Sequence, residues 1–241
     1  MKKLFEPIYL SLFTLLAGAC GMLLSTRFYD AAAISNELLD HTHPSSILLI
    51  VLCGIVLVAL FVATRFIPTE GTLEELLPTS PLRGIGTFVG TVGIAICCIQ
   101  NASGTDFLTI ISLVVGIFAG ICMLFVASQR LFRMDPHPLF YAVCTIFLML
   151  LGLVRCRQWG AQTQVLWFFF SLVAQVFLLL TAFQYTSVCT TGKNTRNLIF
   201  CSHAAIFFCC AAFPARYDPF YLTSAIWLAL DGCFFKIPKK E

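Results

Sequence analysis

ILLIVLCGIVLVALFVA, residues 47–63, and LTIISLVVGIFAGICMLFVA, residues 108–127, decide the fold. Neither stretch holds a charged residue. A helix of about 20 apolar residues, rising ~1.5 Å per residue, crosses the ~30 Å hydrocarbon core of a bilayer. Both stretches therefore read as membrane spans, and the rest of the chain follows the same pattern. Hydrophobic residues make up 59% of the 241 residues and charged residues 11%. Soluble domains sit near ~45–50% and ~25%. A water-soluble core of this size could not hide so much apolar surface, so the solvent is lipid.

Working outward gives eight expected spans, at 7–26, 46–67, 84–100, 108–128, 138–155, 164–186, 198–214 and 219–236. The expected fold is all-α, a polytopic integral membrane helix bundle filling residues 1–241 as a single transmembrane domain. Basic residues orient it, because Lys and Arg accumulate in cytoplasmic loops. With both termini in the cytoplasm, eleven of the 15 basic residues face inward, Arg65, Arg83 and Arg130 among them. Arg27, Arg155, Arg157 and Arg216 face outward. The net charge of +3 reflects this bias. No basic run is long enough for nucleic-acid binding. The expected location is the plasma membrane, with the lipid bilayer itself as first partner.

Two connections are longer than hairpins. In the loop at 68–81, Thr72 and Glu75 have the spacing of a capping box, which points to a short helix at the inner surface. The outer loop carries Glu37, Asp40, His41 and His43. Carboxylate and imidazole at that spacing suit a divalent metal, but a solvated loop explains them more simply, and no metal or cofactor is assigned. The opening MKK and LLAGAC ending at Cys20 resemble a lipoprotein signal. The apolar run continues beyond Cys20, unlike the ~7–15-residue core of a signal peptide, which favours a span. Most of the 12 cysteines fall inside apolar runs and act as small hydrophobes.

Polar residues within spans are costly and mark function or internal hydrogen bonds. Four stand out: Gln175 near mid-depth, and Gln184, His203 and Asp231 at a common height in the inner third. A His203–Asp231 pair there would relay a proton or hold a cation; a structural hydrogen bond is the simpler alternative, as is pairing of Asp231 with Arg65 or the tail lysines. Gly86-x-x-x-Gly90 and Gly116-x-x-x-Gly120 let helix backbones approach closely. Lying in consecutive spans, they suit internal packing better than a dimer face. Arg155, Arg157 and Trp159, with Arg216, Tyr217 and Asp218, crowd the outer boundary. They read as headgroup anchors, or more sharply as an outward anion or headgroup pocket.

Walker A, HExxH, GxSxG and dinucleotide motifs are all missing from the sequence. Three function classes remain. The leading expectation is a small-molecule carrier or the membrane subunit of a transporter, working with a partner subunit or as a homo-oligomer. The second is a structural or sensory protein acting through helix contacts. The third is an intramembrane lipid enzyme using His203 and Asp231 as acid and base.

Overall fold

The computed structural model describes residues 7–35, 44–65, 80–134, 136–160, 168–215, 217–233 and 235. Eight helices run through them: α1 (Pro7–Ser35), α2 (Pro44–Arg65), α3 (Pro81–Asn101), α4 (Phe107–Leu131), α5 (Pro138–Gly160), α6 (Phe169–Thr191), α7 (Thr195–Ala212) and α8 (Pro219–Cys233). No strand occurs among the described residues. The protein is an all-α polytopic bundle. Seven helices are long and apolar enough to cross a membrane; α8 has 15 residues. The Thr72–Glu75 segment and the Glu37, Asp40, His41 and His43 cluster lie outside the described residues.

Local chemistry sets the helix starts. Five helices open on proline, at Pro7, Pro44, Pro81, Pro138 and Pro219. Proline lacks the N–H that the first turn leaves unbonded, and its fixed φ suits that turn. The link from α6 to α7 is short because Gly192 takes the left-handed conformation at φ 63 and its N–H bonds to Val188 O. A residue without Cβ adopts this conformation at little cost.

Helices α3 to α8 pack each against the next, and α8 closes on α3. The result is a six-helix ring. α1 and α2 lie outside it, both against α7. Burial follows position rather than hydropathy. α2 has the highest mean hydropathy, 3.2, yet only 28% of its window is buried. α7 has 1.9 and is 89% buried, because protein surrounds it. Lipid-facing helices must be apolar throughout, whereas a protein-surrounded helix can carry small and polar residues.

Call the end holding the starts of α1, α3, α5 and α7 proximal, and the other distal. Sequence bounds and structural bounds differ where it matters. α3 starts three residues before the expected 84, α4 runs three beyond 128, and α5 five beyond 155. Those extra turns bring Arg83 and Arg130 inside helices. All three of Arg83, Arg130 and Arg155 are buried. They are internal residues, not loop charges.

The glycine motifs find different partners. A Cβ at Gly86 would sit 2.9 Å from Leu230 Cβ, and one at Gly90 3.1 Å from the Trp227 ring. Both face α8, which is remote in sequence, rather than α4. Gly116 faces Cys98 of α3 and Phe147 of α5, at 2.6 and 2.8 Å. Gly120 has only Ile94 within reach, at 3.9 Å.

Candidate functional site

Two buried ionic centres occupy opposite ends of the ring. The proximal one is built on Asp231, in the last turn of α8 and fully buried. Its Oδ1 accepts from Arg83 Nε at 3.2 Å and from Arg130 Nη1 at 2.9 Å. Its Oδ2 accepts from Arg130 Nη1 at 2.9 Å and from the Tyr185 hydroxyl at 2.8 Å. Arg130 also donates to Thr87 Oγ1 and to the Tyr141 hydroxyl, both at 2.6 Å. Tyr141 and Tyr185 stack with ring centroids 5.1 Å apart. Five ring helices thus contribute to one network around this carboxylate. A lone buried carboxylate is unsustainable in hydrocarbon; guanidinium forks offset its desolvation through several short bonds at once.

This arrangement corrects the expected partners of Asp231. It is bound by Arg83 and Arg130, neither of which falls within an expected span. His203 is also fully buried but turns toward α1, where its Nε2 lies 3.1 Å from Ser11 Oγ. Its Nδ1 lies 2.8 Å from Ile199 O, which can only accept. In the neutral ring Nδ1 therefore carries the hydrogen and Nε2 accepts from Ser11. No hydrogen bond joins His203 to Asp231 among the described residues. Gln184 is half-buried and its Oε1 has no partner among them.

The distal centre is built on Arg155, five residues before Gly160 at the end of α5. Its Nη2 donates to Asp218 Oδ2 at 2.7 Å. Its Nη1 donates to the Tyr221 hydroxyl at 2.6 Å and to Gln175 Oε1 at 3.3 Å. The guanidinium lies over Phe220 and Tyr221, 5.0 and 4.9 Å from their centroids. Gln175 belongs here rather than with the proximal residues, and its amide nitrogen donates to Leu148 O at 2.9 Å. Asp218 also caps α8, accepting from Phe220 N at 3.0 Å through Oδ1. A cavity of about 280 Å³ opens beside this pair, lined by Gln100, Asn101, Gln158, Ser171 and Trp159.

Between the centres the buried side chains are mainly apolar, with the hydroxyls of Thr91, Thr181 and Ser224 among them. Along α5, Tyr141 of one centre is separated from Arg155 of the other by buried Cys144, Phe147, Leu148 and Leu151. Leu178 and Ala182 on α6, and Ala225 and Leu228 on α8, fill the same stretch. Asp218 and Asp231, thirteen positions apart, lie about 20 Å apart along α8 at ~1.5 Å per residue.

Arg157, by contrast, is exposed and lies 3.7 Å from exposed Asp106. Trp159 is buried and stacks on Phe168. Among the described residues no three His, Cys, Asp or Glu side chains gather as a metal site would require.

The architecture and its buried charges define a multi-pass integral membrane protein. No protein-family model matches the chain, and no curated protein or solved structure matches it either.

Proposed function

We propose that the chain is a small-molecule carrier, or the membrane subunit of a multi-part transporter, with the interior of the six-helix ring as its path. One observation carries this reading. Two polar centres share one ring interior, at opposite ends of a mainly apolar plug, and the distal one adjoins a polar cavity. Charges buried in a membrane bundle typically mark pathways. Ion pairs that bridge helices suit a bundle alternating between two closed ends, since each pair can hold one end shut.

The carrier sits in the plasma membrane with its proximal end in the cytoplasm. Setting aside the three buried arginines, the described basic residues are four proximal, Arg65, Arg133, Lys193 and Arg196, and two distal, Arg27 and Arg157, so the charge bias persists.

The contact-protein reading has its own support in the saturation of Asp231, which behaves as a staple. The two readings part on accessibility. Cys97 is fully buried, with Sγ 3.7 Å from Arg155 Nη2. Cys144 is buried one turn beyond Tyr141 toward the plug. In variants retaining only one of these, an impermeant methanethiosulfonate is added to sealed vesicles of each orientation. A carrier exposes Cys97 to the distal side and Cys144 to the proximal side as it cycles. Failure of both to react from either side refutes the carrier reading. The enzyme reading has no geometry behind it, since His203 and Asp231 hold different partners.

A further inference from the structure

The cavity beside Arg155 differs in kind from the other two large hollows. A groove of about 500 Å³ between α1, α2, α6 and α7 is lined by Phe28, Ile50, Leu57, Phe169, Phe177 and Phe208. Another of about 220 Å³, between α5 and α6, is lined chiefly by Leu148, Met149, Leu153 and Leu179. Both are lined almost wholly by apolar surface. The distal cavity has three side-chain amides, Gln100, Asn101 and Gln158, beside a guanidinium and a carboxylate.

We infer that this cavity is a binding site for a small zwitterion, one anionic group and one ammonium, of which a free α-amino acid is the simplest example. The assignment deepens the carrier reading and rests on it. Charge balance is the reason. Arg155 and Asp218 sum to zero, so a ligand of net charge would leave an unbalanced ion next to a low-dielectric wall, at high cost. A zwitterion leaves the sum unchanged. Its anionic group takes the place of Asp218 on the Arg155 fork, and its ammonium meets the released Asp218 carboxylate. One ion pair becomes two, and the geometry for the anionic group is already set, because Arg155 is held in place by Tyr221 and Gln175. Asp218 is the more exposed member: its side chain is 15% exposed, against 8% for Arg155, and its Oδ2 can leave Arg155 while Oδ1 keeps the α8 cap. The amides supply both donors and acceptors for the remaining polar atoms. Size agrees: at ~30 Å³ per water, 280 Å³ holds about nine waters, the scale of a small metabolite rather than a peptide.

The test is binding to the purified full chain in micelles, by scintillation proximity, with radiolabelled glycine, L-alanine, L-serine and L-glutamine. Propionate, ethylamine and glycerophosphoethanolamine serve as competitors. Saturable amino-acid binding that propionate and ethylamine fail to displace is the expected result. Displacement by glycerophosphoethanolamine in preference to all four amino acids assigns the same zwitterion chemistry to a lipid headgroup source. Asp218→Asn keeps the α8 cap, since asparagine caps as well as aspartate. It is expected to weaken zwitterion binding about thirtyfold or more, as for loss of one partner of a buried charged pair. It is also expected to strengthen propionate binding, because the site gains one positive charge. A merely structural role for Asp218 moves both ligands together. Gln158→Trp changes an exposed cavity-lining residue, fills the cavity without touching the ion pair, and is expected to abolish binding in a protein of unchanged melting temperature. Absence of saturable binding by any zwitterion, or propionate binding as tight as theirs, overturns the assignment. Flux in reconstituted vesicles is measured separately. Binding without flux sinks the carrier reading and leaves the site. Amino-acid flux that survives both substitutions sinks the site and leaves the carrier.

Discussion

Replacing Asp231 by asparagine removes one charge at almost constant volume and isolates what the proximal centre contributes. The carboxylate takes two bonds on each oxygen, from Arg83, Arg130 and Tyr185, at 2.8 to 3.2 Å. Asparagine keeps one acceptor oxygen. Its amide nitrogen points donor hydrogens at a donor-only guanidinium, whichever way it is turned. Arg130 is then left buried without its counter-ion. Losing one partner of a buried pair costs about 3–5 kcal/mol, chiefly through the stranded charge. At about 2–4 °C per kcal/mol for a chain of this size, that is a drop of roughly 6–20 °C in melting temperature. The assay is thermal unfolding of purified protein in micelles, followed by tryptophan fluorescence. Stranding also implies coupling. Arg130→Gln with Asp231→Asn is expected to lose less than the two single losses added, since the second change relieves the charge the first exposed. A loss below about 1 kcal/mol for Asp231→Asn, or strict additivity in the double variant, refutes the reasoning.

Other expectations follow from packing and hydrogen bonding. Gly86→Ala places a methyl 2.9 Å from Leu230 Cβ, an atom fixed to its backbone, and is expected to cost about 1–3 kcal/mol by overpacking. Gly120→Ala meets only Ile94 at 3.9 Å and is expected to stabilise by about 0.5–1 kcal/mol through helix propensity. Melting temperatures moving in the same direction would count against the packing described for the two motifs. His203→Leu leaves the fully buried Ser11 hydroxyl without its acceptor and is expected to cost about 1–3 kcal/mol, without effect on thiol access to Cys97. Adding Ser11→Ala is expected to recover part of that loss; a double variant less stable than His203→Leu alone would show that Ser11 is not the partner that matters.

Most of the fold was legible because the bilayer imposes one strong rule, an apolar stretch of span length, and the chain obeys it repeatedly. The long runs at 47–63 and 108–127 lie inside α2 and α4 as read. The site was legible only in part, and for a physical reason. Asp231 stood out because a carboxylate within an apolar run is costly unless it is paired. Arg83, Arg130 and Arg155 did not, because arginine at a span's edge ordinarily anchors to headgroups, its long stem reaching water from a turn inside. The sequence cannot tell an arginine that reaches outward from one that reaches inward. Only the facing helices decide, and here Tyr141, Tyr185 and Asp231 turn Arg130 in, as Tyr221 and Asp218 do for Arg155. One clue lay in the sequence all the same. A buried carboxylate requires a cation within hydrogen-bond reach, so Asp231 called for a basic partner at its own depth. Arg83 and Arg130 sit at that depth on α3 and α4, whereas imidazole, with two nitrogens and a proton it can lose, was the weaker choice for holding a carboxylate in hydrocarbon.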